Sequence, residues 1–277
     1  MFLAITNKFN NQLVPQTDNT KRLVNINNEY KLITNICPHQ GSRLNEINGK
    51  FVCPYHGWSF NSDGSPKASG TTQCENLEHL ETYPVYQVGN FLFDSPIDFD
   101  VEFLHNDYLE LEETRVDIVK APAQTIMDLF LDIEHIPIVH KNIYEQIGIH
   151  SKSKILWQYK DNGSLQLVET SGQTLVMDFD KKDYGAAWLA LYPNTMIEWQ
   201  PGAMFITIAQ PHIEGSKVFV YKYKDTRYSE GAWVINQNIW EMAWNQDKEQ
   251  SERIVGINTK NLEEYKLHFK EWYDKHR

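Results

Sequence analysis

The sequence predicts an α+β protein, and three observations carry that prediction. The first hundred residues hold short apolar runs at 31–36, 50–52 and 85–93, separated by Asn, Gly and Pro in the manner of a small all-β unit. Residues 155–224 hold further runs rich in β-branched and aromatic residues, which read as an antiparallel sheet. Helical periodicity then returns at 232–257 and 262–276. At 277 residues the chain is long enough for two domains of ordinary size.

Taken in order, the polar and acidic stretch 94–113, with Pro96 and few periodic residues, reads as the linker after the all-β unit. Residues 123–135 read as a helix, because Ile126, Leu129, Phe130 and Ile133 recur at helical spacing behind Pro122. Pro137 is expected to end that helix. The sheet runs fall at 175–179, 186–192, 205–209 and 218–223, punctuated by Pro193-Asn194, Pro201-Gly202 and Glu214-Gly215.

A formal charge of -11 disfavours a surface for phosphate backbones or anionic lipid, which need clustered Lys and Arg. No apolar run approaches the roughly 18 residues that cross a bilayer. The start, Met1-Phe2-Leu3-Ala4-Ile5, lacks an export pattern, so a cytoplasmic protein is expected. The three cysteines, Cys37, Cys53 and Cys74, are an odd number and do not space like a disulfide framework. Reduced thiols or metal ligands are expected instead, with Cys74 a small buried thiol.

Cys37-Pro38-His39 and Cys53-Pro54-Tyr55-His56 are two matched knuckles, each with one Cys and one His, and thirteen residues lie between His39 and Cys53. Two thiolates and two imidazoles suit a [2Fe-2S] cluster with both Cys on one iron and both His on the other. Imidazole ligation sets the potential at about -150 to +300 mV, suited to single-electron transfer. A structural zinc site uses the same residue types, but zinc fingers pair Cys with Cys and His with His.

The surrounding residues, Cys37-Pro-His-Gln-Gly-Ser-Arg-Leu44 and Cys53-Pro-Tyr-His-Gly-Trp-Ser-Phe60 followed by Asp63-Gly64, closely resemble the signature of Rieske non-heme iron oxygenases. The likeness continues through Tyr83-Pro84-Val85, Gly89 and Phe91-Leu92-Phe93. The gap between knuckles is a few residues shorter than is usual in that family, which implies a trimmed hairpin.

The second constellation lies at 128–140, where Asp132, His135 and His140 stand beside an apolar stripe. Asp132 and His135 are expected on one helical face. His135 and His140 would diverge by about 140° on an unbroken helix, so the break at Pro137 matters. The segment resembles the family's iron motif Asp-x-x-His-x-x-x-x-His, with His135 and His140 as the iron histidines. Two His and one carboxylate make the usual ferrous triad, so a carboxylate is sought elsewhere. Asp247 falls on the apolar stripe of Trp240, Ala243, Trp244 and Ile254, with Ser251 on the same face, where an ionised carboxylate is costly without a cation. Gln246-Asp247-Lys248-Glu249 resembles the family's late Glu-Asp segment, and Glu241 and Glu249 compete for the role.

The resemblance implies a Rieske [2Fe-2S] domain at 1–100 and a catalytic domain at 101–277, with a helix-grip-like antiparallel sheet flanked by helices. It implies that Asp132 joins His135 to His56 of a neighbouring protomer in a homotrimer. It further implies a reductase or ferredoxin donor, fed ultimately by NAD(P)H, and mono- or dioxygenation of a small molecule: hydroxylation, demethylation or aromatic ring dihydroxylation. The sequence carries no dinucleotide-binding glycine fingerprint of its own. An electron carrier without oxygenase activity is the rival from another class. Met177, Phe179, Trp188 and Tyr192 are candidates for a pocket, though aromatic residues on strands usually serve the core.

Overall fold

The computed structural model describes residues 2–5, 12–13, 19–68, 78–99, 101–132, 135–144, 155–168, 178–179, 182–183, 186–254 and 264–276. Cys74, Met177 and most of the run at 175–179 lie outside the described residues. The chain divides into two compact units, Phe2–Ile97 and Asp98–Arg277.

In the first unit, strands β1 (Phe2–Ile5), β2 (Gln12–Leu13), β3 (Lys21–Ile26), β4 (Glu29–Thr34), β5 (Asn45–Ile47), β6 (Lys50–Val52), β7 (Ser59–Phe60), β8 (Pro66–Ala68), β9 (Thr82–Pro84), β10 (Tyr86–Val88) and β11 (Phe91–Phe93) build three antiparallel sheets. Their orders are β2-β3-β4-β9, β5-β6-β7-β8 and β1-β11-β10. Asn27 and Asn28, at φ 55° and 65°, join β3 to β4, and Asn48 and Gly49, at φ 51° and 72°, join β5 to β6. Two successive left-handed residues form a turn whose twist matches that of the paired strands, and Asn and Gly tolerate it. The β5–β6 hairpin is what the thirteen residues between the knuckles fold into. Val24, Ile33, Leu44, Phe51, Trp58, Phe60 and Leu80 pack with Cys37 and Cys53 into one core.

The second unit opens with a short 3-10 turn at Glu102–Leu104 and then β12 (Leu109–Val119). This corrects the linker at 94–113, because its last five residues begin an eleven-residue edge strand. After β12 come α1 (Ala123–Leu131), α2 (Ile136–Val139), α3 (Lys141–Tyr144), β13 (Ile155–Lys160), β14 (Gly163–Val168), β15 (Asp178–Phe179), β16 (Lys182–Asp183), β17 (Ala186–Leu191), β18 (Thr195–Gln200), β19 (Ala203–His212), β20 (Gly215–Asp225), α4 (Glu230–Arg253) and α5 (Glu264–His276). Seven strands form one antiparallel sheet, ordered β12-β20-β19-β18-β17-β14-β13.

One face of that sheet carries α1, α4 and α5. Ala186, Trp188, Ala190, Tyr192 and Met196 meet Met127, Leu131, Ile239, Ala243 and Phe269 there. Beside them Ala203, Phe205, Val218 and Val220 meet Ile126, Trp233, Trp240 and Trp244. Tyr192 thus belongs to the core, with its hydroxyl 3.0 Å from His268 Nδ1. Ser229 caps α4 by accepting from the Ala232 amide, and Asn236 donates to the Pro201 carbonyl at 2.7 Å, which ties α4 to the β18–β19 turn. Gly202 lies in that turn at φ 92°, and a Cβ there would come within 3.0 Å of Ala232.

Two helix boundaries differ from expectation. α1 stops at Leu131, Asp132 leaves helical geometry at φ -83° and ψ 72°, and Pro137 sits in the first turn of α2 rather than ending α1. Proline suits a helix start because its missing N–H has no partner to find there. Asp132 and His135 therefore do not share a helical face. α4 ends at Arg253, and Ile254 is extended and 39% exposed, so it leaves the buried stripe.

Candidate metal centres

The two knuckles fold alike. Cys37 donates its amide to Ser42 and accepts from Gly41, at 2.8 and 2.9 Å; Cys53 does the same with Trp58 and Gly57, at 2.7 and 3.0 Å. Gly41 and Gly57 close these loops at φ 72° and 74°, a conformation that glycine adopts without strain. Each Cys is thereby sunk into the core while its His, two or three residues on, stands half-buried at the rim. Cys37 and Cys53 are 1% and 2% exposed, and both are free thiols.

The His39 and His56 rings lie 4.8 Å apart between centroids, and His39 stacks flat on Trp58 at 4.5 Å. Nδ1 of each histidine is buried without a hydrogen-bond partner. A buried, unsatisfied ring nitrogen and a buried thiol on each knuckle make up the donor types of a [2Fe-2S] cluster. Burial pushes the Cys37 thiol up. At Cys53 burial pushes the same way, but the amides of His56 and Tyr55 outweigh it and hold the thiol below its ordinary value.

In the second unit, the two ends of α2 and the buried face of α4 bring His135, His140 and Asp247 together. His135 Nε2 and His140 Nε2 are 3.0 Å apart, and Asp247 Oδ1 lies 3.3 and 2.9 Å from them. Among the described residues, this is the one set of three such donors gathered around a point. Glu241 is bound by Arg115 at 2.8 Å and by Lys222, and Glu249 pairs with Arg253, so neither joins the set.

The outward nitrogens explain the inward ones. His140 Nδ1 meets Gln246 Oε1 at 2.7 Å, and His135 Nδ1 meets the Asp132 carbonyl. Both partners are acceptors, so each Nδ1 carries the proton and each Nε2 keeps its lone pair. Asp247 Oδ1, among these two nitrogens, receives no hydrogen bond. Two ring nitrogens and a carboxylate oxygen thus converge on one point, and a cation fits that arrangement. Burial would raise Asp247, but the two histidines outweigh it and hold its carboxyl below the ordinary range. Burial would lower His140, while Asp247, Gln246 and Glu198 hold it above.

Beside the triad lies a narrow cavity lined by Phe130, Ile136, Trp188, Glu198, Trp240, Ala243 and Trp244, with about 30 Å³ open to a water-sized molecule. Trp188 is thus both core and lining. Gln246 and Glu198 were not singled out from the sequence, since an ordinary surface helix or strand carries the same residues. The contact foreseen between Asp132 and His135 is made by the Asp132 main chain.

Residues 10–84 match the Rieske [2Fe-2S] domain family, so this stretch of the chain is a Rieske cluster domain. The chain as a whole has the α+β fold of Rieske monooxygenase oxygenase components and resembles them in sequence. It superposes on a quaternary ammonium Rieske monooxygenase with a TM-score of 0.61 at 15% identity, covering 92% of this chain and 84% of that one. It is 22% identical to putrescine 2-hydroxylase of Bordetella bronchiseptica, over 71% of this chain and 55% of the relative. It is 29% identical to the chloroplastic choline monooxygenase of Spinacia oleracea, over 65% of this chain and 47% of the relative. The chain thus spans about half the length of these two curated relatives. Among the described residues, no helix is long and apolar enough to cross a membrane.

Proposed function

We propose that the chain is the oxygenase component of a Rieske-type monooxygenase that uses O2 to hydroxylate or oxidatively demethylate a small organic molecule. Its electrons come from NAD(P)H through a separate reductase or ferredoxin. Cys37, His39, Cys53 and His56 hold the cluster, and His135, His140 and Asp247 hold a single ferrous iron. The observation that carries this reading is the convergence of those last three donors, two ring nitrogens and one carboxylate oxygen within 3.3 Å of one another. An electron carrier needs no such second site.

Bound there, ferrous iron supplies open coordination positions for O2, and the cluster supplies electrons singly. The chain's own residues do the rest. Gln246 and the Asp132 carbonyl aim the two imidazoles inward, and Asp247 offsets the charge of the cation. Phe130, Ile136, Trp188, Trp240 and Trp244 narrow the cavity and make its wall largely apolar. Asp132 is proposed to link the iron site to His56 of a neighbouring copy within a homotrimer. The matched relatives are named for putrescine and choline, both nitrogen cations, and a small amine or ammonium compound is the substrate class this reading adopts.

Iron analysis of anaerobically purified protein tests it. Three irons per chain, two in the cluster and one at the triad, are expected, with substrate-dependent O2 uptake when a surrogate reductase is supplied. Two irons per chain and no O2 uptake would leave a carrier.

A further inference from the structure

We infer that Glu198 selects a positively charged substrate, its carboxylate and the surrounding aromatic rings together forming the cation subsite beside the iron triad. The inference rests on the oxygenase reading and deepens it.

The register of the sheet places Glu198. On β18 it pairs with Trp188 of β17 and with Phe205 of β19, and Phe205 in turn pairs with Lys222 of β20. This row points to the face on which α1 and α4 lie, so Trp188 and Glu198 both line the triad's cavity. Lys222 is engaged elsewhere, with Glu113 at 2.7 Å and with Glu241. Among the described residues, no Lys or Arg lines the cavity. The wall is four aromatic rings, Phe130, Trp188, Trp240 and Trp244, and its one carboxylate beyond Asp247 is Glu198.

That lining is selective. Ring faces and a carboxylate attract a cation, repel an anion, and give a neutral polar group little to bond. An ammonium group drawn to this wall would meet Glu198 with its charge and the rings with its methyl or methylene carbons. Glu198 lines the same cavity as His135, His140 and Asp247, so a group held there lies beside the iron site. Asp247 cannot serve both purposes, since its carboxylate is committed to the two histidines.

The experiment uses full-length protein with both metal centres loaded, and iron is counted first, so that failure of the oxygenase reading shows before any ligand is added. Anaerobic calorimetry then compares choline and 1,4-diaminobutane with 3,3-dimethylbutan-1-ol, the uncharged carbon analogue of choline. Wild-type protein is expected to bind at least one cation about tenfold or more tightly than the neutral analogue. Glu198→Gln is expected to remove that preference without changing iron content, and Trp188→Leu to weaken it. Glu198→Asp should restore part of it. The inference is overturned if neither cation outcompetes the neutral analogue on wild-type protein, or if Glu198→Gln keeps the preference. It is equally overturned if Glu198→Gln loses the single iron, which would make Glu198 part of the metal site.

Discussion

Asp247 and Gln246 are neighbours in sequence with opposite tasks at one imidazole. Asp247 reaches His140 Nε2 at 2.9 Å, and Gln246 holds Nδ1 at 2.7 Å from behind. Asp247→Ala removes a ligand, so the protein should lose one iron per chain while the visible absorption of the cluster survives. Glu241→Gln should retain that iron, because Glu241 is occupied with Arg115 and Lys222. Gln246→Ala leaves all three ligands in place but frees the ring, and the affinity for ferrous iron should fall about 10- to 100-fold, as is typical when an outer partner of a ligating His is removed. Equal iron affinity in Gln246→Ala and wild-type protein, measured by competition with a chelator, would refute the orienting role. The proposed ligands were legible as candidates because each carries a local signal: adjacent Cys and His in the knuckles, spaced His at 135 and 140, and a carboxylate on an apolar helical stripe. Gln246 carries none, since an amide on a helix has no function until the fold brings an imidazole to it.

At the scale of elements, α4 must hold its register for Asp247 to reach the histidines, and a charged patch fixes it to the sheet. Arg115 and Lys222 both bind Glu241, and Trp244 Nε1 donates to Asp117 at 2.7 Å. Lys222 is 1% exposed, so its ammonium depends on Glu113 and Glu241 for compensation. Trp244→Phe keeps an aromatic ring but loses part of its buried area and one hydrogen bond to a carboxylate, which should cost about 1.5 kcal/mol or more in chemical denaturation. Burial alone would raise Glu241, but Arg115 and Lys222 hold it below its ordinary value of 4.5. A carboxylate depressed in the folded state contributes stability above its unfolded pKa and loses it as pH falls through the folded one. Acidification below 4.5 should therefore weaken the wild-type protein more steeply than Glu241→Gln; parallel profiles would remove the patch from the account. This patch is also why β12 was illegible. Glu113, Arg115 and Asp117 point to α4, while Val116 and Ile118 are 49% and 46% exposed, so the binary pattern is inverted and reads as a polar linker. The early end of α1 was hidden in the same way, because apolar spacing continues to Ile133 although Asp132 has already left the helix.

Across the whole molecule, each proposed metal centre is built into a core of its own. Cys37 and Cys53 pack with the Phe51, Trp58 and Phe60 core of the first unit, whereas the triad borders the Trp188, Trp240 and Trp244 wall of the second. The centres also differ in how firmly they hold metal. The proposed cluster would have four protein ligands, two of them cysteines at 1% and 2% exposure, while the triad offers three donors beside a cavity. A mild chelator at neutral pH should therefore remove one iron in three and leave the cluster's colour unchanged, and added ferrous iron should restore it. Because a ligand stabilises only the state that binds it, by about 2.7 kcal/mol at a hundred times its Kd, the loss should appear in the unfolding of the second unit alone. Calorimetry on chelated and reloaded protein would show one transition moving and another, the one that bleaches the cluster, standing still. If bleaching and iron loss advanced together under the chelator, the two centres would not be independent, and the assignment of one metal site to each unit would fail.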